Sequence, residues 1–170
     1  MFVEVFSDEG KKVTFYTIRH EDADMSETED FFRRVHSSDY KEDVFKLSML
    51  LANEIGDRYG AHEKYFNREE RAATALPPKY YKPFKGEKTI SFSYSPLRLY
   101  SYKVSDSIVV LFNGGLKSTN GSAQDDPNIR IHFRQAYLYS EKIQRAINEG
   151  MIDIQGKYMV GFDGSKKIKI

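Results

Sequence analysis

Across residues 89–113 the chain carries three runs rich in aromatic and β-branched residues, at 89–94, 97–104 and 107–113, with only Ser95-Pro96 and Ser105-Asp106 between them. Connections this short can join only antiparallel neighbours, because a parallel pair needs a crossover of a dozen or more residues. The spacing therefore predicts a three-stranded antiparallel meander. Gly114-Gly115 ends it, and residues 118–127 form a polar loop of Thr, Asn, Gly, Ser, Gln and Asp.

Helical patterns flank the meander. Ser26-Glu27-Thr28-Glu29 has the capping-box pattern, predicting a first helix to about His36. Asp39 is placed to cap a second, in which Val44, Leu47, Leu51, Ile55 and Tyr59 follow helical spacing and Gly60 supplies the stop. A third carries Ile129, Phe133, Ala136, Ser140, Ile143 and Ile147 on one face, with Gly150 beyond its end. Two hairpins close the termini. One joins residues 2–6 to 13–18 around Asp8-Glu9-Gly10 and is expected at a sheet edge. The other joins residues 151–154 to 157–162 through Gln155-Gly156 and is followed by a basic tail at 164–170. Between Gly60 and Pro83 the pattern fades, so that stretch reads as connecting structure or a lid.

The expectation is one α+β domain over residues 1–170, with a core at about 26–148 and extensions at 1–20 and 150–170. An antiparallel sheet of the meander and the N-terminal hairpin would be packed by the helices on one face. A chain of 170 residues, 40% hydrophobic, is long enough to bury such a core. With no cysteine there is neither a disulfide nor a zinc-cysteine site. Residues 1–9 show no basic start followed by an apolar run, and no window reaches membrane-spanning length, so the sequence predicts a soluble, cytoplasmic chain.

The net charge of +1 conceals an asymmetry: residues 1–78 hold 11 Lys/Arg against 17 Asp/Glu, whereas residues 79–145 hold 11 against 5. A basic region of this kind attracts phosphate even in a nearly neutral protein. Lys79, Lys82, Lys85 and Lys88 recur every three residues beside Tyr80, Tyr81 and Phe84, which suits an RNA-gripping segment. Strand alternation puts Arg98, Tyr100 and Tyr102 on one face, a base-stacking platform in one reading and half-buried packing in the other. Lys117 follows the glycine pair at a strand end, where backbone can approach a phosphate closely. His132 titrates nearest neutrality and is a candidate acid or base, or else a packing residue. His20, His36 and His62 lack metal-ligand spacing, so no metal site is expected.

Phe84-Lys85-Gly86, then Leu97-Arg98-Leu99-Tyr100, then Ile108-Val109-Val110-Leu111-Phe112-Asn113-Gly114-Gly115-Leu116-Lys117, in this order and followed by a helix, resemble the HigB-like, phage-derived branch of the RelE/ParE toxin superfamily. The resemblance spans about residues 84–147. It implies a RelE-like fold and a toxin that cleaves ribosome-bound mRNA with no metal or organic cofactor. It also implies a cognate antitoxin as partner, such as a helix-turn-helix protein. The resemblance puts Arg98 at the family's arginine position and Lys117 at its strand-end lysine; these two, together with His132, which matches no family position and enters for its titration near neutrality, are the candidate catalytic residues. Metal-independent cleavage by 2′-hydroxyl attack needs a base, an acid and cations on the phosphorane, and such side chains can supply them. Two alternatives stay open: a catalytically silent RelE-fold protein-binding or regulatory module, and a ParE-like gyrase inhibitor. The near-neutral charge and Asp125-Asp126 beside Lys117 favour the first of these, since carboxylates facing the site would repel phosphate.

Overall fold

The Glu29 amide donates to the Ser26 hydroxyl while the Ser26 amide donates to the Glu29 carboxylate, and this reciprocal cap starts α1 (Glu27–His36) where the sequence predicts it. In the computed structural model, residues 1–68, 73–82, 90–92 and 95–170 are described. The second helix differs from expectation at both ends. It starts without a side-chain cap at Tyr40, so Asp39 is not its cap, and α2 (Lys41–Met49) runs directly into a ten-residue π-helix, Leu50–Tyr59. Val44, Leu47, Leu51 and Ile55 are buried as predicted, while Tyr59 is only half-buried. The Gly60 amide closes the π-helix on the Ile55 carbonyl at 3.1 Å. The Gly56 carbonyl meanwhile accepts from the Lys12 and Val13 amides at 2.8 and 3.0 Å, which ties the first hairpin loop to this helix. Gly10 is required there, because a Cβ would lie 2.2 Å from the Gly56 oxygen.

The other elements are β1 (Phe2–Ser7), β2 (Thr14–Arg19), β3 (Asn67–Arg68), β4 (Ala73–Leu76), β5 (Tyr80–Tyr81), β6 (Ile90–Ser91), β7 (Leu97–Ser105), β8 (Ile108–Leu116), α3 (Arg130–Asn148), β9 (Ile152–Gln155), β10 (Tyr158–Gly161) and β11 (Ile168–Lys169). A seven-stranded sheet runs β11-β1-β2-β8-β7-β4-β3, antiparallel except for β2 and β8, which pair in parallel from Thr14 opposite Ile108 to Thr17 opposite Leu111. The C-terminal hairpin β9-β10 forms as predicted, with Gly156 in the left-handed region at its turn, and is a separate ribbon.

Three expectations are corrected. Of the first predicted meander strand only Ile90, Ser91 and Phe92 are described. Ile90 and Ser91 pair with Tyr81 and Tyr80 in a small ribbon, and β4 takes the place beside β7. The meander is thus two strands rather than three. The N-terminal hairpin is not a sheet edge, because β2 lies inside the sheet and β11, from the segment read as a tail, pairs with β1. The helices pack on both faces rather than one. Phe31, Val35, Leu47, Leu51 and Ile55 meet Leu97, Leu99, Val109 and Leu111 on one side. Phe133, Ala136, Tyr139 and Ile143 of α3 meet Tyr16, Tyr100, Tyr102, Val110 and Phe112 on the other, together with Ile152 and Met159 of the last hairpin. This accounts for the unbroken apolar run in β8: a strand covered on both faces needs no polar alternation. Among the described residues no helix is long and apolar enough to cross a membrane.

Candidate anion-binding cleft

The start of β7 and the end of β8 meet at one end of the sheet, where Arg98 pairs with Gly115 and the Lys117 amide donates to the Pro96 carbonyl at 2.8 Å. Glycine is obligatory beside this pair: a Cβ at Gly114 would lie 1.8 Å from the Arg98 carbonyl oxygen. The Arg98 guanidinium folds back along its own strand, with Nη1 donating to the Leu97 carbonyl at 2.6 Å. Lys79 arrives from the segment before β5. These three cations line a cleft of about 670 Å³ together with Lys64, Asn67, Tyr80 and Gln124. They also line an adjoining recess of about 350 Å³ whose far wall is Ser118, Thr119 and Asn120. Both volumes fall in the range of small-ligand sites. Among the described residues Lys79, Arg98 and Lys117 make no ion pair. Glu63, the carboxylate on the rim, is drawn to Lys103 at 3.1 Å.

Asp126 builds the far wall. Its fully buried carboxylate accepts from the Ser118, Thr119 and Asn128 amides at 2.7, 2.8 and 2.9 Å and from the Ser118 and Thr119 hydroxyls. Burial alone would raise its pKa, but these donors outweigh burial and hold it down at about 2. Asp125 accepts from the Ser122 hydroxyl at 2.7 Å. The two acids expected to repel phosphate are thus engaged within the loop, and neither lines the cleft.

The sequence-predicted residues divide sharply. Arg98, Lys117 and Lys79 come together. Lys82 is exposed outside the cleft, its carbonyl accepting from the Lys64 ammonium at 2.8 Å. Lys85 and Lys88, with Phe84 and Gly86 of the motif, lie outside the described residues. The aromatic platform is corrected: Tyr100 is 0% and Tyr102 6% exposed, because α3 covers that face, and neither offers a ring to a base. Tyr100 packs edge-on against Phe133 with centroids 5.8 Å apart, and the Tyr102 hydroxyl donates to Gln144. The exposed aromatic ring among the described lining residues is instead Tyr80, at 67%, since Phe66 and Phe133 are buried.

His132 stands apart from these residues. Its neighbour Phe133 borders the cleft, but His132 itself does not line it. Burial lowers its pKa, the nearby Arg34 lowers it further, and Glu27, Asp30 and Gln135 oppose both. It stands beside a separate polar network. There the Arg34 guanidinium donates to Asp30, Asn113 and the Gly114 carbonyl, while the Asn113 amide donates to Glu27 at 2.8 Å and Asp30 at 3.2 Å. Burial would raise Asp30, yet hydrogen bonds from Arg33, Arg34 and Asn113 hold it at about 2.

Sequence reasoning missed Lys64, Asn67 and Gln124. The first two sit in the stretch without periodicity and the third in a polar loop, so no local pattern marks them. Lys64 has its pKa lowered by burial, partly offset by the Glu54 charge. Among the described residues no group of three His, Asp or Glu side chains is arranged to hold a metal ion. No protein-family model, curated protein or solved structure matches the chain.

Proposed function

We propose that this chain is a RelE/HigB-like toxin that takes RNA into the Arg98–Lys117–Lys79 cleft and cleaves it by 2′-hydroxyl attack, with ribosome-bound mRNA as substrate and an antitoxin as partner. The observation that carries this is the convergence of three cations from separate segments on one cleft, none of them in an ion pair with a carboxylate among the described residues. Surface lysines and arginines usually find solvent or a rim partner, whereas cations grouped around a concavity bind a polyanion. In this reading Arg98 and Lys117 hold the non-bridging oxygens as negative charge grows on the phosphorane. Tyr80 offers a stacking face to an unpaired base. Lys64, which lines the cleft and whose pKa is lowered by burial, is the group assigned to proton transfer. The test is expression without an antitoxin, which should arrest growth and cleave mRNA in vivo, with both effects abolished by Arg98→Ala while the variant stays folded. Harmless expression of folded wild-type protein would refute the toxin reading.

The position of His132 favours a second reading, a catalytically silent RelE-fold protein-binding or regulatory module, because no described residue lining the cleft is a histidine. Harmless expression of the folded protein, with mRNA and gyrase activity intact, would select it. Inhibition of gyrase supercoiling with mRNA intact would select the gyrase-inhibitor alternative instead.

A further inference from the structure

The dipeptide Asn-Gly occurs twice, at Asn113-Gly114 and Asn120-Gly121. In this pair the asparagine carboxamide is open to attack by the next backbone nitrogen, because glycine carries no side chain to shield its amide. The fold treats the two copies oppositely. Asn113 is 6% exposed, its oxygen accepts from Arg34 and from the Gly114 amide, and its nitrogen donates to Glu27 and Asp30. Gly114 is wedged against Arg98, so neither water nor a rearranged backbone has room there. Asn120 and Gly121 are both exposed. Among the described residues neither the Asn120 carboxamide nor the Gly121 amide makes a hydrogen bond. Nothing lies nearer than 3.6 Å to the position a Gly121 Cβ would take. Asp126 ties down Ser118 and Thr119 on one side and Asn128 on the other, leaving this dipeptide at the free tip of the loop.

We propose that Asn120 is a self-modification site that converts the cleft from a cationic to a partly neutralised one with age. The Gly121 nitrogen gives its proton to solvent base and attacks the Asn120 Cγ. The Cγ–Nδ2 bond breaks and ammonia leaves, giving a succinimide. Water then opens the ring to aspartate or, through the backbone carbonyl, to isoaspartate. The net change is one water consumed and one ammonia released, with no redox partner. Asn120 lines the recess with Lys79, Arg98 and Lys117, cations whose field favours the anionic nitrogen and the oxyanion of this step. The product places a carboxylate beside the same three cations, where it competes with a bound phosphate. The regulatory consequence rests on the proposed anion-binding role of the cleft; the modification does not.

The experiment incubates the full chain in mildly alkaline buffer, folded and in denaturant, and maps deamidation by peptide mass. Folded protein should deamidate at Asn120 and spare Asn113, while denatured protein should lose both amides. Gly121→Ala, which has room for its methyl, should slow the change at Asn120. Asn120→Asp should elute from a heparin resin at lower salt and bind a short single-stranded RNA about threefold to tenfold more weakly than fresh wild type. Persistence of the Asn120 amide in folded protein while the denatured chain reacts would overturn the proposal, as would unchanged heparin elution of Asn120→Asp. If fresh wild type binds no RNA, the RNA reading fails, and peptide mapping with heparin elution still decides the modification and its effect on charge.

Discussion

Asn113 and Lys117 are near neighbours at the end of β8, yet they belong to two kinds of polar site. Around Asn113 every described charge is answered: Arg34 by Asp30, Asn113 by Glu27, Asp30 and Arg34, and the Gly114 carbonyl by Arg34. Around Lys117 the cations Lys79, Arg98 and Lys117 share a cleft, and the nearby acid Asp126 has turned its carboxylate onto the loop backbone. The first arrangement spends its hydrogen-bonding capacity inside the molecule and so holds α1 to the sheet. The second is less fully paired: Lys79 and Lys117 make no ion pair among the described residues, while the Arg98 guanidinium donates to the nearby Leu97 and Ser95 carbonyls. Two polar sites at one sheet end thus differ in how completely their charges are matched.

Four substitutions or conditions test the contrast, the first three in falling order of effect on stability. Tyr100→Ala, which empties space between β7 and α3, should lower unfolding free energy by about 3 to 5 kcal/mol in denaturant titration. A loss below about 1 kcal/mol would mean that the ring is not the packing element argued here. Asn113→Ala, which strands Arg34, Glu27 and Asp30, should cost about 2 to 3 kcal/mol and leave heparin elution of the folded protein unchanged. Arg98→Ala should reverse that pattern, costing less than about 1 kcal/mol of stability while weakening RNA binding about tenfold and flattening its salt dependence. If instead Asn113→Ala weakened binding and Arg98→Ala destabilised the fold, the division between the two sites would collapse.

The fourth test, in acid, stands outside that order. Asp30 and Asp126 are both held at about 2, below the value of about 3.9 for an unconstrained aspartate. A carboxyl depressed in the folded state contributes stability that is fully present above the unfolded value and is lost as pH falls through the folded one. Denaturant midpoints should therefore decline between about pH 4 and pH 2, and Asp126→Asn should flatten part of that decline. An unchanged acid slope in Asp126→Asn would show that the loop is held by other means.

Local signals were legible and long-range ones were not. The Ser26 cap, the α3 stripe, the Gly150 stop and the Gln155-Gly156 turn depend on residues within a turn or two of one another, and all appear as read. The meander failed at its first strand because β7 had a competing partner. Ala73-Thr74-Ala75-Leu76 is short and unpatterned, yet it reaches the β7 edge with full register. The parallel pairing of β2 with β8 joins segments separated by α1, α2, the π-helix and strands β3 to β7, and no spacing rule announces it. At the cleft, Arg98 and Lys117 were legible because one strand turn brings them to the same sheet end, and Lys79 because of its charge pattern. Lys64 and Gln124 were not, since only folding carries them there.

The sequence by itself determined which side chains alternate along β7, where the first and third helices begin and end, and that basic residues gather in its second half. Tertiary structure alone decided which alternating face is covered. Tyr100 and Tyr102 alternate as read, but α3, a distant part of the chain, buries them. It likewise decided the surroundings of two identical Asn-Gly pairs, one buried and hydrogen-bonded and the other exposed. Covalent pattern fixes what a residue is able to do, whereas its solvent access and hydrogen-bond partners come from segments far away in the chain. In this protein those distant partners separate the residues buried in the fold from those that line its open cleft.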